Sequence, residues 1–145
     1  ISGRKLGQTE GEDSFNILPV LTGEPDAKVR DHLLIAPLRR THLSLRKGNW
    51  IYIGAKGHGG FGTKKVGEHG LGGPAAQLFT GHVNSDIEDG KIKLDAPKAQ
   101  LYNLAKDPYQ QQNIIRNHPE IAKEMKEEMQ SIRINPTAPH IALKQ

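Results

Sequence analysis

The residues with the plainest chemical potential are cationic. Arg39-Arg40, Arg46-Lys47 and Lys64-Lys65 are basic doublets, and His58 stands just before the last of them in a glycine-rich stretch. Arginine forks donate paired hydrogen bonds to tetrahedral oxyanions, and lysine adds point charge, so such groups suit sulfate or phosphate esters. Gly57-His58-Gly59-Gly60-Phe61-Gly62 has the spacing G-x-G-x-x-G. Dinucleotide binding through that spacing requires a helix N-terminus directly after it, where backbone N–H groups meet the pyrophosphate. Here Thr63-Lys64-Lys65 leads into more glycine, a context that points to a substrate-facing or interface loop instead.

Other chemistries find less support. The 7 histidines include no H-x-H or H-x-x-x-H pair, the local spacing that zinc sites usually show, so no metal ligands are assigned. His42 falls on the polar side of an expected strand, and His118 at an expected helix start. Asp13, Glu24, Asp86, Glu88 and Asp89 form neither an acid/base pair nor a calcium-loop pattern. With 0 cysteines, disulfides, thiolate metal sites and a cysteine nucleophile are excluded within these residues. No catalytic residue and no cofactor is therefore assigned to the chain.

Positioning these groups falls to a modest scaffold. The length of 145 residues suits one domain. Apolar runs at 15–21, 33–38, 43–53, 101–104 and 121–132 are separated by long polar or glycine-rich stretches, leaving a small core that calls for a larger neighbour. The net charge of +4 favours anionic partners without choosing among them. No run approaches the roughly 20 apolar residues of a membrane span. The start Ile1-Ser2-Gly3, lacking Met and any signal-peptide pattern, reads as a cut, as in a fragment.

Asp13 or Ser14 is expected to cap a short helix reaching Leu21, with Pro19 in its first turn and Gly23 as its stop. Strands follow at His32–Ala36, Thr41–Lys47 and Trp50–Ile53, with a turn at Pro37–Arg40 and a tight one at Gly48-Asn49. In the second strand Leu43 and Leu45 alternate with His42, Ser44 and Arg46, the period of a half-buried strand. Nine glycines between 54 and 73 make that stretch a long loop. Lys91–Leu94 reads as a short strand after Asp89-Gly90, and Gln100–Leu104 as another, stopped by Asp107-Pro108. Asn117 or His118 opens a helix with Pro119 first, and Ile121, Met125, Met129 and Ile132 form its apolar stripe up to Asn135-Pro136. The fold class expected is α+β: a small antiparallel sheet of about four strands with a packed C-terminal helix.

Meander topology carries one prediction about the cations. Alternate turns lie at opposite ends of a sheet, so the 37–40 turn and the loop from 54 share one end. Arg39, Arg40, His58, Lys64 and Lys65 are thereby candidates for an anion-attracting rim; the alternative is ordinary surface charge. Nucleic acid fits less well, because only Trp50 and Tyr52 offer aromatics among the cations.

Several segments, taken in order, resemble the C-terminal part of the sulfatase (arylsulfatase) family. Asp13-Ser14-Phe15-Asn16-Ile17-Leu18-Pro19-Val20-Leu21-Thr22-Gly23 is similar to the family's D-x-x-x-L-L-P-L-L-x-G stretch. Leu45-Arg46-Lys47-Gly48-Asn49-Trp50 resembles its I-R-x-G-x-W-K hairpin, with Ile51 in place of the usual Lys, and 57–62 resembles a G-S-G-G-W loop. Leu101-Tyr102-Asn103-Leu104, Asp107-Pro108 and Asn113-Ile114 resemble L-Y-D-L-x-x-D-P-x-E-x-x-N-L, with Gln110 in place of Glu, and His118-Pro119-Glu120 completes the series. The resemblance runs over residues 12–133.

What the resemblance implies is a division of labour. Family chemistry uses a formylglycine made within C/S-x-P-x-R, a calcium ion, and Lys and His around the sulfate, all upstream. The formal match here, Ile35-Ala36-Pro37-Leu38-Arg39, has Ile at the nucleophile position, which cannot be oxidised or hydrated. Residues 1–30 would close the large domain, 31–135 form the C-terminal subdomain, and 136–145 a tail. The implied partners are an N-terminal catalytic domain of the same polypeptide and a sulfated substrate. The implied setting is periplasmic, extracellular or lysosomal. The other reading is a free-standing module binding a polyanion, either sulfated glycan or nucleic acid.

Overall fold

A computed structural model describes residues 16–27, 30–37, 40–57, 83–88 and 91–134. The chain divides into two compact units, Ile1–Asp31 with Gln130–Gln145, and His32–Met129.

In the first unit, helix α1 (Leu18–Leu21) is a single turn. Asp13 and Ser14, the expected caps, lie outside the described residues. Asn16 does the local work instead, its Oδ1 accepting the Leu18 N–H at 3.0 Å. Pro19 sits in the first turn, where its missing N–H costs nothing. The stop is at Gly23, as expected. Its φ of 75° lets the Glu24 N–H reach the Pro19 carbonyl at 2.9 Å and the Gly23 N–H reach that of Val20 at 3.2 Å, a Schellman ending. None of the four helical residues is buried, and Leu21 is 70% exposed.

The second unit holds β1 (His32–Ile35), a 3-10 turn (Arg40–His42), β2 (Ser44–Lys47), β3 (Trp50–Ile53), β4 (Ile87–Glu88), β5 (Lys91–Ile92) and β6 (Gln100–Asn103). It also holds helix α2 (Pro119–Ile134) as far as Met129. The strands β1-β2-β3-β6 form one antiparallel sheet, and β4 pairs with β5 separately. This is the α+β arrangement expected from the sequence. Gly48 makes the β2–β3 turn possible: its φ of 56° at the first of two turn residues is what a II′ hairpin demands.

Four expected strand boundaries move, the first strand ending at Ile35 rather than Ala36. The second strand begins at Ser44 rather than Thr41, because Thr41 Oγ1 and His42 Nδ1 lie 3.0 Å apart and residues 40–42 curl locally. His42 is consequently buried, not on a solvated strand face. Lys91–Leu94 shortens to Lys91–Ile92, since Leu94 turns fully into solvent. The last strand stops at Asn103, whose side chain takes up the Ala105 N–H at 3.1 Å and starts the turn before Asp107-Pro108.

Register assigns the sheet's two faces. Leu34, Leu45, Tyr52 and Leu101 form one cross-strand row, and His32, Lys47, Trp50 and Asn103 another on the same face. Helix α2 covers this face. Lys47 Nζ meets Glu128 at 2.8 Å and Glu124 at 3.3 Å, Glu128 also lies 3.7 Å from His32, and the Trp50 and His118 rings pack edge-on at 5.3 Å. Hydrogen bonding to Glu128, then to Glu124, holds the Lys47 ammonium above its ordinary pKa. Beneath the helix Leu45 and Leu101 are fully buried, and each such side chain stabilises by about 1.5–3 kcal/mol.

The helix starts as the sequence requires. Pro119 takes the first position, the Ala122 N–H reaches the His118 carbonyl at 3.1 Å, and Glu120 and Arg133 complement the dipole at either end. Ala122, Met125 and Met129 are buried and Ile121 half-buried, so the expected stripe is present with Ala122 added to it. The helix runs to Ile134, the residue before the Asn135-Pro136 stop expected from the sequence. Among the described residues, no helix is long and apolar enough to cross a membrane.

Candidate functional site

The end row of the sheet is Ile35, Ser44, Ile53 and Gln100, by the pairing register. The chain leaves β1, enters β2, leaves β3 and enters β6 at this same end. A hydrogen bond from the Gly54 N–H to the Leu43 carbonyl at 3.0 Å joins two of these segments beyond the strands. Of the expected rim, Arg39, His58, Lys64 and Lys65 lie outside the described residues. Arg40 is described only in its backbone, within the 3-10 turn.

What the described residues place here is a buried amide. Gln100, 4% exposed, donates through Nε2 to the Ala55 carbonyl at 2.9 Å and to the Gly57 carbonyl. Its Oε1 accepts the Tyr102 hydroxyl at 2.6 Å, and Tyr102 Oη in turn accepts from Asn84 Nδ2 at 2.9 Å. Asn84 also donates to the Gln110 carbonyl at 2.8 Å. A continuous relay thus joins 55–57, β6 and 84, three stretches far apart in sequence. Desolvation raises the Tyr102 pKa well above the ordinary phenol value; Asn84 pulls it down, while Asp86 and Asp107 add to the rise. The phenol therefore stays protonated and acts as a donor, not as a base.

A second bracket lies alongside. Asn113 Nδ2 meets Asp86 Oδ2 at 2.6 Å, and the Asn113 N–H donates to Ser85 Oγ at 2.9 Å. Ser85 Oγ is 3.3 Å from Asp86 Oδ1. A hydroxyl beside a carboxylate invites comparison with a nucleophile and its base. Here Asp86 Oδ2 is already engaged by Asn113, and among the described residues no imidazole joins the pair, so the arrangement ties 85–86 to 113. Lys56 reaches the Leu94 carbonyl at 2.8 Å, and Gly57, at φ 72°, fits because a Cβ there would collide with Ile92. No group of three or more metal-ligating side chains occurs among the described residues.

Sequence reasoning singled out neither Gln100 nor Asn84 for this role. One signal was available: Gln100 and Tyr102 alternate on one side of a short strand, and a buried polar pair must find partners. The identity of those partners was not readable.

No protein-family model matches the chain, and neither does any curated protein. A solved structure does. The chain is similar to a sulfatase of Bacteroides thetaiotaomicron, solved in work on how that bacterium metabolises multiple glycosaminoglycans. The identity is 25% and the TM-score 0.56, over 90% of this chain. The chain spans 22% of that sulfatase's length. The likeness supports a relation to sulfatases.

Proposed function

We propose that this chain is the noncatalytic C-terminal portion of a sulfatase, supporting a catalytic portion of the same polypeptide and bordering its substrate cleft. The observation that carries this reading is the asymmetry of the structural match. It takes in 90% of this chain and 22% of a solved sulfatase, as a part compared with a whole would. The ordered resemblances from Asp13 to Glu120 add support from the sequence side.

On this reading the chemistry resides in the rest of the polypeptide, with its formylglycine and calcium. Ile35, at the nucleophile position of the formal C/S-x-P-x-R match, offers nothing to oxidise. The parent reaction is hydrolysis of a sulfuric ester, on a sulfated carbohydrate; the similar sulfatase comes from work on glycosaminoglycan metabolism. Arg39, Arg40, His58, Lys64 and Lys65 would steer the anionic substrate without taking part in bond cleavage. Helix α1, with Leu18, Val20 and Leu21 exposed, suits a junction with the larger portion.

The test is the coding sequence upstream in the same reading frame. A C/S-x-P-x-R signature there supports the proposal. A frame that opens near Ile1 would overturn it in favour of a free-standing polyanion-binding module.

A further inference from the structure

Lys47 and Lys56 are both held cations, but in different ways. Lys47 Nζ lies against two carboxylates, Glu128 at 2.8 Å and Glu124 at 3.3 Å, which offset its charge within the fold. Lys56 Nζ donates instead to the Leu94 carbonyl at 2.8 Å, and Arg116 Nη2 to the Asp95 carbonyl at 2.6 Å. Among the described residues neither of these two meets a carboxylate. A carbonyl fixes a cation in place without cancelling its charge, and most of the N–H donors stay unspent. Because the anchors are adjacent residues, two cations from distant parts of the sequence come within roughly 11 Å of each other.

The anchoring segment adds charge of its own. The Ala96 N–H reaches the Lys93 carbonyl at 3.2 Å and closes a turn, with Leu94 fully exposed within it and Lys98 exposed just beyond. The side chains of Lys93 and Lys98 make no hydrogen bond or ion pair among the described residues. Nearby acids are mostly accounted for. Glu88 stands opposite Lys91 in the β4–β5 register, and the buried Asp86 carboxylate is engaged by Asn113. Lys56, Lys93, Lys98 and Arg116 are thus left in and against one turn segment, beside a single exposed acid, Asp95.

We infer that Lys56, Lys93, Lys98 and Arg116 form a binding surface for a sulfated polysaccharide chain. The choice of polymer rests on the sulfatase reading above; the surface itself rests on geometry. Cations spread along an exposed turn suit a chain of repeated charges better than one small anion, because each further contact is made within the same complex. Sulfate groups need only well-placed cationic donors, and the arginine fork matches their tetrahedral oxygens. Single-stranded nucleic acid also draws affinity from bases stacked on aromatic rings, and residues 91–99 contain no aromatic. Holding Lys56 and Arg116 by carbonyls places two of the cations before any ligand arrives, which lowers the ordering cost of binding.

Titration of the 145-residue chain with dextran sulfate tests the inference, with uncharged dextran and single-stranded DNA alongside. Dextran sulfate should bind and uncharged dextran should not, with affinity falling as salt rises. Lys93→Gln with Lys98→Gln removes charge without breaking a hydrogen bond of the fold, and should weaken binding about tenfold. Lys56→Gln with Arg116→Gln should weaken it at least as much. Lys123→Gln with Lys126→Gln, both exposed on α2, lowers the net charge equally and should change binding less than about twofold. Equal losses in the three pairs would mean diffuse charge and overturn the inference, as would no binding at low salt. DNA bound more tightly than dextran sulfate would reassign the surface to nucleic acid and overturn it as well. The upstream coding sequence decides the sulfatase reading separately. Absent binding in a frame that carries C/S-x-P-x-R overturns this inference alone, and site-specific binding in a frame without it removes the sulfatase reading alone.

Discussion

Tyr102 donates its hydroxyl proton to Gln100 Oε1 at 2.6 Å, and through it residues 55–57 and Asn84 are fastened to one strand. Gln100 holds the Ala55 and Gly57 carbonyls on one side, and Tyr102 accepts from Asn84 on the other. Tyr102→Phe removes the shared hydroxyl and strands both neighbours. The expected loss is about 1–3 kcal/mol, the usual penalty for buried groups left without partners. Urea unfolding measures it, and an unchanged midpoint would show that the relay adds nothing to stability.

The same residue sets an alkaline trend. Burial raises the pKa of both Tyr102 and Tyr52 above the ordinary phenol value near 10. Between the unfolded and folded pKa values the folded chain binds more protons, so stability falls as pH rises past about 10. The raised Lys47 pKa acts in the same sense. Each buried phenol contributes a slope of at most about 1.4 kcal/mol per pH unit. Tyr102→Phe should therefore flatten the decline above pH 10 relative to the parent chain, and parallel curves would contradict the assignment.

Gly57 and Gly48 both have positive φ, 72° and 56°, but only Gly57 lies against a neighbour, Ile92. Gly48→Ala meets open space and should cost about 1–2 kcal/mol in backbone strain alone. Gly57→Ala adds a steric collision and should cost clearly more. Thermal melts of the two variants decide the order; equal shifts would mean that Ile92 yields freely.

Met125 is 2% exposed at the centre of the α2 stripe. Met125→Asp places an unpaired charge in the core and should destabilise by about 3 kcal/mol or more. Loss of the cooperative melt, or a Tm lowered by many degrees, is the expected result. An unchanged Tm would show that the helix does not pack as described.

The sequence exposed the repeating features well. The glycine at 48 and the spacing of Met125 and Met129 each rest on local rules of period and turn chemistry, and the structure carries both; the alternation read at Leu43 and Leu45 does not hold, because Leu43 precedes the strand and Ser44 is buried beside Leu45. Thr41–His42 misled because a hydroxyl–imidazole contact between adjacent residues competes with strand pairing, which pattern alone does not reveal. The relay was hidden for a different reason. Gln100 finds its carbonyl partners 45 and 43 residues away, and no local signal names a non-local partner. Meander topology did place the end of β1, the start of β2 and the 54–57 segment at one sheet end. Four of the five rim cations lie outside the described residues, and Arg40 contributes backbone alone, so their role stays a proposal.

That role has its own kinetic signature. In the full reading frame, Arg39→Ala with Arg40→Ala should weaken capture of a sulfated substrate more at low than at high salt, since exposed charges are screened beyond roughly 8–10 Å. KM should change more than kcat, as when uniform binding is lost. Identical parameters at low salt would make these residues plain surface charge.

Sulfate release from an aryl sulfate, with calcium present, tests the central claim most directly. It is measured for the 145-residue chain and for the product of its full reading frame, side by side. The account predicts metal-dependent turnover by the longer product and none by the chain alone, which has 0 cysteines and Ile35 at the formal nucleophile position. Turnover by the purified 145-residue chain, or none by a correctly matured longer product, would contradict it.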